Sequence, residues 1–142
     1  MDSVCKEISL PATLESVPKA IEFLKLCLEE LGYSKKAQTK LIVIVDEIVS
    51  NIAKFAYEHS SGDVTIKVLA EQDEHDVEIA FIDEGMAFNP LIDAIRTDLG
   101  TAAAKRRIGG QGIHIVKKLA DEIEYERKDE KNILRIRKHI ER

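Results

Sequence analysis

The chain has 142 residues, about one ordinary domain, of which 44% are hydrophobic and 33% charged. That composition excludes a disordered chain, which cannot bury enough apolar surface to offset its ordering entropy, and no run approaches the ~20 apolar residues that cross a bilayer. The formal net charge of -5 argues against sequence-independent nucleic-acid binding, which needs a basic field, yet leaves room for a locally positive nucleotide pocket. Tryptophan is absent and aromatic residues are 5%, too few for a stacking platform on single-stranded nucleic acid. Met1 to Leu10 carries Asp2, Lys6 and Glu7 and no apolar stretch, unlike a signal peptide. Cys5 and Cys27 have no metal or redox spacing and read as small apolar residues of a reducing cytoplasm.

Without repeats, low-complexity runs or linkers, residues 1–142 read as one domain. Ile8, Leu10 and Ala12 alternate with Ser9 and Pro11, predicting a short strand at an edge or strand end. Ser16 is placed to cap a helix with Pro18 in its first turn. Ile21, Leu24, Leu28 and Leu31 form its stripe, and Gly32 ends it. A second helix is predicted from Lys35 to Tyr57. Leu41, Val45, Ile48, Ile52 and Phe55 make one face, which Ile44, Val49 and Ala56 widen. A narrow polar stripe of Glu47, Asn51, Lys54 and Glu58 remains.

Ser60-Ser61-Gly62 reads as a turn. Strands follow at Val64–Ala70 and Val77–Ile82, joined by a hairpin at Gln72–Asp76. Asp83 to Pro90 is a loop, Leu91–Arg96 a short helix, and Thr97–Arg107 a small, polar and basic segment. Gly109, Gly110 and Gly112 lead into a helix at Ile113–Ala120. Strands near Ile123–Arg127 and Ile133–Lys138 close the chain. Two hairpins and helices with one buried face predict an α+β fold: a two-layer sandwich, its mainly antiparallel sheet covered on one face. The regular βαβ crossovers of a doubly wound sheet are missing.

Three groups of residues have chemical potential. Glu47 and Asn51, four apart on a helix, project from one face. A carboxylate and an amide oxygen so placed suit a proton acceptor beside a hydrated Mg²⁺, which keeps several waters. An isolated pair of this kind is equally an ordinary polar contact on a wet helix face; the apolar remainder of this helix is what singles out the stripe. Asp83, at a strand end and followed by Gly85, can accept from an exocyclic amine such as adenine N6, and glycine allows close approach. The same residues also fit a plain turn. Gly109-Gly110-Gln111-Gly112, opening a helix, offers backbone N–H groups and a dipole end to phosphates. Lys105, Arg106 and Arg107 lie just upstream. Neither a Walker loop nor a Rossmann fingerprint is present.

The order of these groups resembles the N, G1 and G2 boxes of the histidine-kinase-like ATPase superfamily. The phrase Asp83-x-Gly85-x-x-Phe88-x-Pro90 and the tail from Gly112 to Tyr125 look most like its anti-sigma factor serine/threonine kinase branch. The resemblance runs from Ile8 to Lys138. It implies ATP and Mg²⁺ as cofactors, with Asn51 as metal ligand and Glu47 as the catalytic group that accepts or orients the proton of a protein serine. It implies that Asp83 binds the adenine amine with Gly85 close to the ring. Gly109, Gly110 and Gly112 would hold phosphates, Arg106 or Arg107 would meet the terminal phosphate, and Thr97–Arg107 would form a lid.

The implied partners are a sigma factor and an anti-anti-sigma factor phosphorylated on serine. The implied state is a cytoplasmic homodimer that binds neither nucleic acid nor membrane. The chain departs from the family pattern at Ala87, where sensor kinases have a second glycine, and at Phe55, where a histidine is frequent. It departs again at Ile133 and Leu134, near which a threonine is common. His59, His75, His114 and His139 match no phospho-acceptor motif and read as surface residues. The rival reading is a nucleotide-gated module that sequesters a partner without transferring phosphate.

Overall fold

Period-two alternation in five segments builds one sheet. The computed structural model describes residues 3–57, 60–71, 75–87 and 113–141. Its elements are β1 (Ser3–Pro11), a 3-10 turn (Leu14–Ser16), α1 (Val17–Glu30), α2 (Lys35–Phe55), β2 (Asp63–Glu71), β3 (Asp76–Asp83), β4 (Glu122–Lys128) and β5 (Lys131–His139). A further helix, α3, spans 113–119. The strand order is β1-β2-β3-β5-β4, and every neighbouring pair is antiparallel. Val64, Ile66 and Val68 of β2, Val77, Ile79 and Phe81 of β3, and Leu134 and Ile136 of β5 turn into one core with α1, α2, Ile113 and Val116. The helices therefore cover one face, as expected. A register slip of one residue would turn each of these side chains to the open face, which fixes the pairing.

Several local features differ from the reading above. β1 begins at Ser3, and its outward Cys5 and Glu7 are exposed; pairing with β2 extends the strand beyond the alternating stretch. Pro11 ends this edge strand, where its missing N–H costs no ladder bond. Ser16 occupies the N-cap of α1 but makes no side-chain cap; its backbone is already helical, at φ -80° and ψ -15°. Its hydroxyl lies 3.3 Å from that of Thr13, because the 3-10 turn leads into the helix.

Gly32 ends α1 as expected, at φ +84°. Gly32 N donates to Glu29 O (3.0 Å) and Tyr33 N to Leu28 O (3.1 Å), the paired bonds of a Schellman stop. Ser34 caps α2 by accepting from Ala37 N at 3.2 Å. α2 stops at Phe55, two residues short of expectation, since Tyr57 is drawn away. Its hydroxyl donates to Asp63 O (2.8 Å) and accepts from Glu84 N (2.7 Å).

Cys27 is buried in the core, whereas Cys5 is exposed, so only one cysteine acts as an apolar filler. His75, His114 and His139 are exposed, and His59 lies outside the described residues. The segments 88–112 and 72–74 also lie outside them. Those segments hold Leu91–Arg96, Thr97–Arg107, Lys105, Arg106, Arg107 and the glycines Gly109, Gly110 and Gly112. No described helix is long and apolar enough to cross a membrane.

Candidate functional site

A cavity lies between α2, the start of α3 and the sheet, and Ile48, Asn51, Ile52 and Phe55 of α2 line it. These residues sit at i, i+3, i+4 and i+7, one stripe of the helix. Phe81 and Asp83 of β3, Tyr125 of β4, Asn132 and Leu134 of β5, Met86 and Ile113 complete the wall. The lining is mainly apolar with a few polar groups, the usual make-up of a small-molecule site.

Asp83 continues the inward row Val77, Ile79, Phe81 of β3, so a carboxylate stands where the pattern calls for an apolar side chain. It is only 5% exposed. Its Oδ1 accepts from Gly85 N (2.9 Å) and from Asn132 Nδ2 (2.9 Å). Among the described residues no donor meets Oδ2. Burial pushes the carboxyl above its usual range, while the bonds from Asn132 and Gly85 and the charge of Arg127 pull it back. A buried carboxylate with one open oxygen needs a donor from elsewhere.

Asn132 faces Asp83 directly across the β3–β5 ladder and is 6% exposed. Its amide nitrogen also donates to Met86 O at 2.8 Å, and its oxygen accepts from the Tyr125 hydroxyl. Arg127 Nη1 donates to Gly85 O at 2.8 Å. The loop after β3 is further tied to α2 by Met86 N donating to Ala56 O at 3.0 Å. A Cβ on Gly85 would lie 2.3 Å from that same Ala56 oxygen. Glycine is therefore required where the loop seats on the end of α2, a backbone contact beyond the sequence reading.

The structure brings Asn51 and Asp83 to one cavity. Glu47, half-buried, lies one turn earlier on α2 and is not among the lining residues. Asp46, its neighbour, is exposed and accepts from the Ser50 hydroxyl at 3.3 Å. Sequence reasoning missed Asn132, Tyr125, Arg127 and Tyr57. It noted only that Ile133 and Leu134 stand where the family often has a threonine; the register places the polar residue that meets Asp83 just before them, at Asn132. The available signal was the alternation Asn132-Leu134-Ile136, which marks Asn132 as an inward polar residue.

A helical stripe bearing an amide and a strand-end carboxylate thus share the wall of an apolar cavity on an antiparallel sheet. Residues 10–138 match the Histidine kinase-like ATPase domain, and the chain belongs to that family. It is 28% identical over 120 residues to "Serine-protein kinase RsbW" of Listeria monocytogenes serovar 1/2a, covering 82% of this chain and 75% of that protein. It is 26% identical over 122 residues to the protein of the same name from serotype 4a of that species, with the same coverage. Among solved structures it is similar to "the RsbU and RsbW domains of Rv1364c from Mycobacterium tuberculosis". The TM-score there is 0.67 at 16% identity, over 98% of this chain and 33% of the other. At that identity the likeness is one of fold, and this chain spans one third of that multidomain protein.

Proposed function

We propose that the protein is an ATP-dependent serine/threonine protein kinase acting as a cytoplasmic, homodimeric anti-sigma factor, which phosphorylates a serine of an anti-anti-sigma partner. The observation that carries the nucleotide part is Asp83: a buried carboxylate with one oxygen lacking a donor among the described residues, in an apolar cavity shared with Asn51. That oxygen suits the 6-amino group of adenine, and the apolar wall suits the ring faces. Among the described residues no group of three or more His, Cys, Asp or Glu side chains could hold a metal ion. The amide oxygen of Asn51 in the cavity lining suits a cation that arrives with phosphate oxygens, which is how Mg²⁺ binds when a nucleotide supplies most ligands.

Asn51 is the residue that would hold Mg²⁺, through a neutral oxygen. Bound there, the ion would neutralise phosphate charge, the main requirement of phosphoryl transfer beyond positioning. Glu47, on the same face of α2 but outside the cavity lining, would take or orient the proton of the incoming serine hydroxyl as that oxygen attacks the terminal phosphorus. Gly109, Gly110 and Gly112, with Arg106 or Arg107, would hold the phosphates. The sigma and anti-anti-sigma partners rest on the motif resemblance to the anti-sigma factor kinase branch, and the serine-kinase activity also on the similarity to the RsbW serine-protein kinases.

Single-turnover transfer from labelled ATP to a serine-bearing partner tests this reading. Transfer that needs Mg²⁺, Asn51 and Asp83 supports it. Tight, nucleotide-dependent partner binding with no transfer assigns the chain instead to the sequestering module.

A further inference from the structure

We infer that Asn132, held by Tyr125, is a positioning residue that sets the choice between a 6-amino and a 6-oxo purine, by occupying one oxygen of Asp83 and leaving the other to the ligand. The inference deepens the nucleotide reading above and rests on it.

The argument starts from hydrogen-bond capacity. Asn132 has one acceptor oxygen and two N–H donors. Met86 O and the Asp83 carboxylate can only accept, so the amide nitrogen must face them, as observed at 2.8 and 2.9 Å. The Tyr125 hydroxyl can donate, and it meets the amide oxygen. Both N–H donors of Asn132 are therefore taken, and its oxygen has a donor in Tyr125. A flipped amide would set oxygen against two acceptors and nitrogen against the hydroxyl. Met86 O and the Asp83 carboxylate thus fix the amide orientation, and Tyr125, from the neighbouring strand β4, adds a bond to the amide oxygen.

The consequence falls on Asp83. With Gly85 N also on Oδ1, that oxygen has two donors and is saturated. Oδ2 is left as an acceptor. An acceptor-only group matches an exocyclic amine and opposes a carbonyl, where two acceptors would face each other. Discrimination of this kind is large when the polar group is buried, and Asp83 is buried. Loss of the Asn132 donor would leave the carboxylate with fewer bonds in a desolvated position and favour its protonated form. A protonated carboxyl can donate to a 6-oxo group, so selectivity would weaken by chemistry as well as by geometry.

The other charged or ionisable groups around Asp83 among the described residues are Arg127 of β4, Tyr57 after α2, Tyr125 and the adjacent Glu84. Arg127 favours the carboxylate and remains in each variant below, so a changed pH profile reports on Asn132.

The test is calorimetric titration of Mg-ATP and Mg-ITP into the full chain. Wild type, Asn132→Leu and Tyr125→Phe are compared at neutral and mildly acidic pH. Wild type should prefer ATP. Asn132→Leu should lose roughly tenfold in ATP affinity, the worth of one hydrogen bond to a charged group at its lower end, with ITP little changed. Its ATP preference should also fall more steeply on acidification than that of wild type. Tyr125→Phe should move the same way by less.

A folded Asn132→Leu protein with the wild-type ATP:ITP ratio at both pH values overturns the inference. If Asn132→Leu does not fold, Tyr125→Phe decides, since it removes one oxygen only; an unchanged ratio and pH profile there overturns it equally. Wild type that binds ATP and ITP alike refutes the selectivity device but keeps the nucleotide site. Wild type that binds no adenine nucleotide overturns the function proposed above and this inference with it.

Discussion

Replacing Asp83 with Asn separates ligand binding from stability, because the two should move in opposite directions. The bonds from Gly85 N and Asn132 Nδ2 both require an oxygen at the Oδ1 position. The new amide must therefore keep its oxygen there and place NH₂ where Oδ2 was. An amine of the ligand then meets a second donor in place of a carboxylate. A hydrogen bond to a charged group is worth about 1.5–3 kcal/mol, so ATP should bind roughly 10- to 150-fold more weakly. ITP, whose 6-oxo group can accept from the new NH₂, should bind as before or better.

Stability should respond the other way. Burial holds the Asp83 carboxyl above its ordinary value of 3.8 in the folded chain. Between that value and the raised one, the folded state binds more protons than the unfolded state, so stability falls as pH rises through the window. At neutral pH the ionised carboxylate therefore subtracts from stability, and Asp83→Asn removes that cost. The apo variant should match or exceed wild type in urea unfolding at neutral pH. Acidification should then shift the comparison in favour of wild type as its carboxyl becomes protonated. Equal loss of ATP and ITP, or wild-type ATP affinity in the variant, would refute the assignment of Oδ2 to the ligand amine. An apo variant much less stable than wild type at neutral pH would refute the charge-burial argument.

Gly85→Ala would put a Cβ 2.3 Å from Ala56 O; the loop must shift, and a loss of about 1–3 kcal/mol is expected from overpacking, read by denaturant unfolding together with weaker ATP binding. Gly32→Ala meets no neighbour within 4 Å but sits at φ +84°, so it should cost about 1 kcal/mol from backbone conformation alone and leave nucleotide binding unchanged. Glu47→Gln should keep nucleotide binding and lower phosphotransfer by about 10²–10⁴-fold, the range for a lost general base, while Asp46→Asn, about 100° around the helix, should have little effect; equal rates for wild type and Glu47→Gln would remove Glu47 from the chemistry.

Much of the fold was legible in the sequence because its signals are local. Strand alternation, the apolar stripes of α1 and α2, and the stop at Gly32 depend only on near neighbours along the chain; the cap at Ser34 went unread, and the one expected at Ser16 does not form. The five strands, α1, α2 and the one-sided cover of the sheet among the described residues follow from these local signals. Asn51 stood out by its place in a polar stripe on an otherwise apolar helix, and Asp83 by ending a strand before a glycine. Other features had weaker local marks. The tight turn at Asp129 and Glu130, at φ 52° and 62°, contains no glycine to announce it.

Only the tertiary structure decided which residues meet across strands. Antiparallel register is a long-range property: it pairs Asp83 with Asn132, 49 positions away, and a shift of one residue would have substituted Ile133. The same is true of the Tyr125 hydroxyl behind Asn132, of Arg127 on the Gly85 carbonyl, and of the Ala56 carbonyl that makes Gly85 obligatory. Each is a hydrogen bond or a steric contact between segments that share no local pattern. Residue types along the chain thus placed a carboxylate at the end of β3, and the ladder to β5 drew it into the strand. Packing and register determined which of its oxygens is left for a ligand.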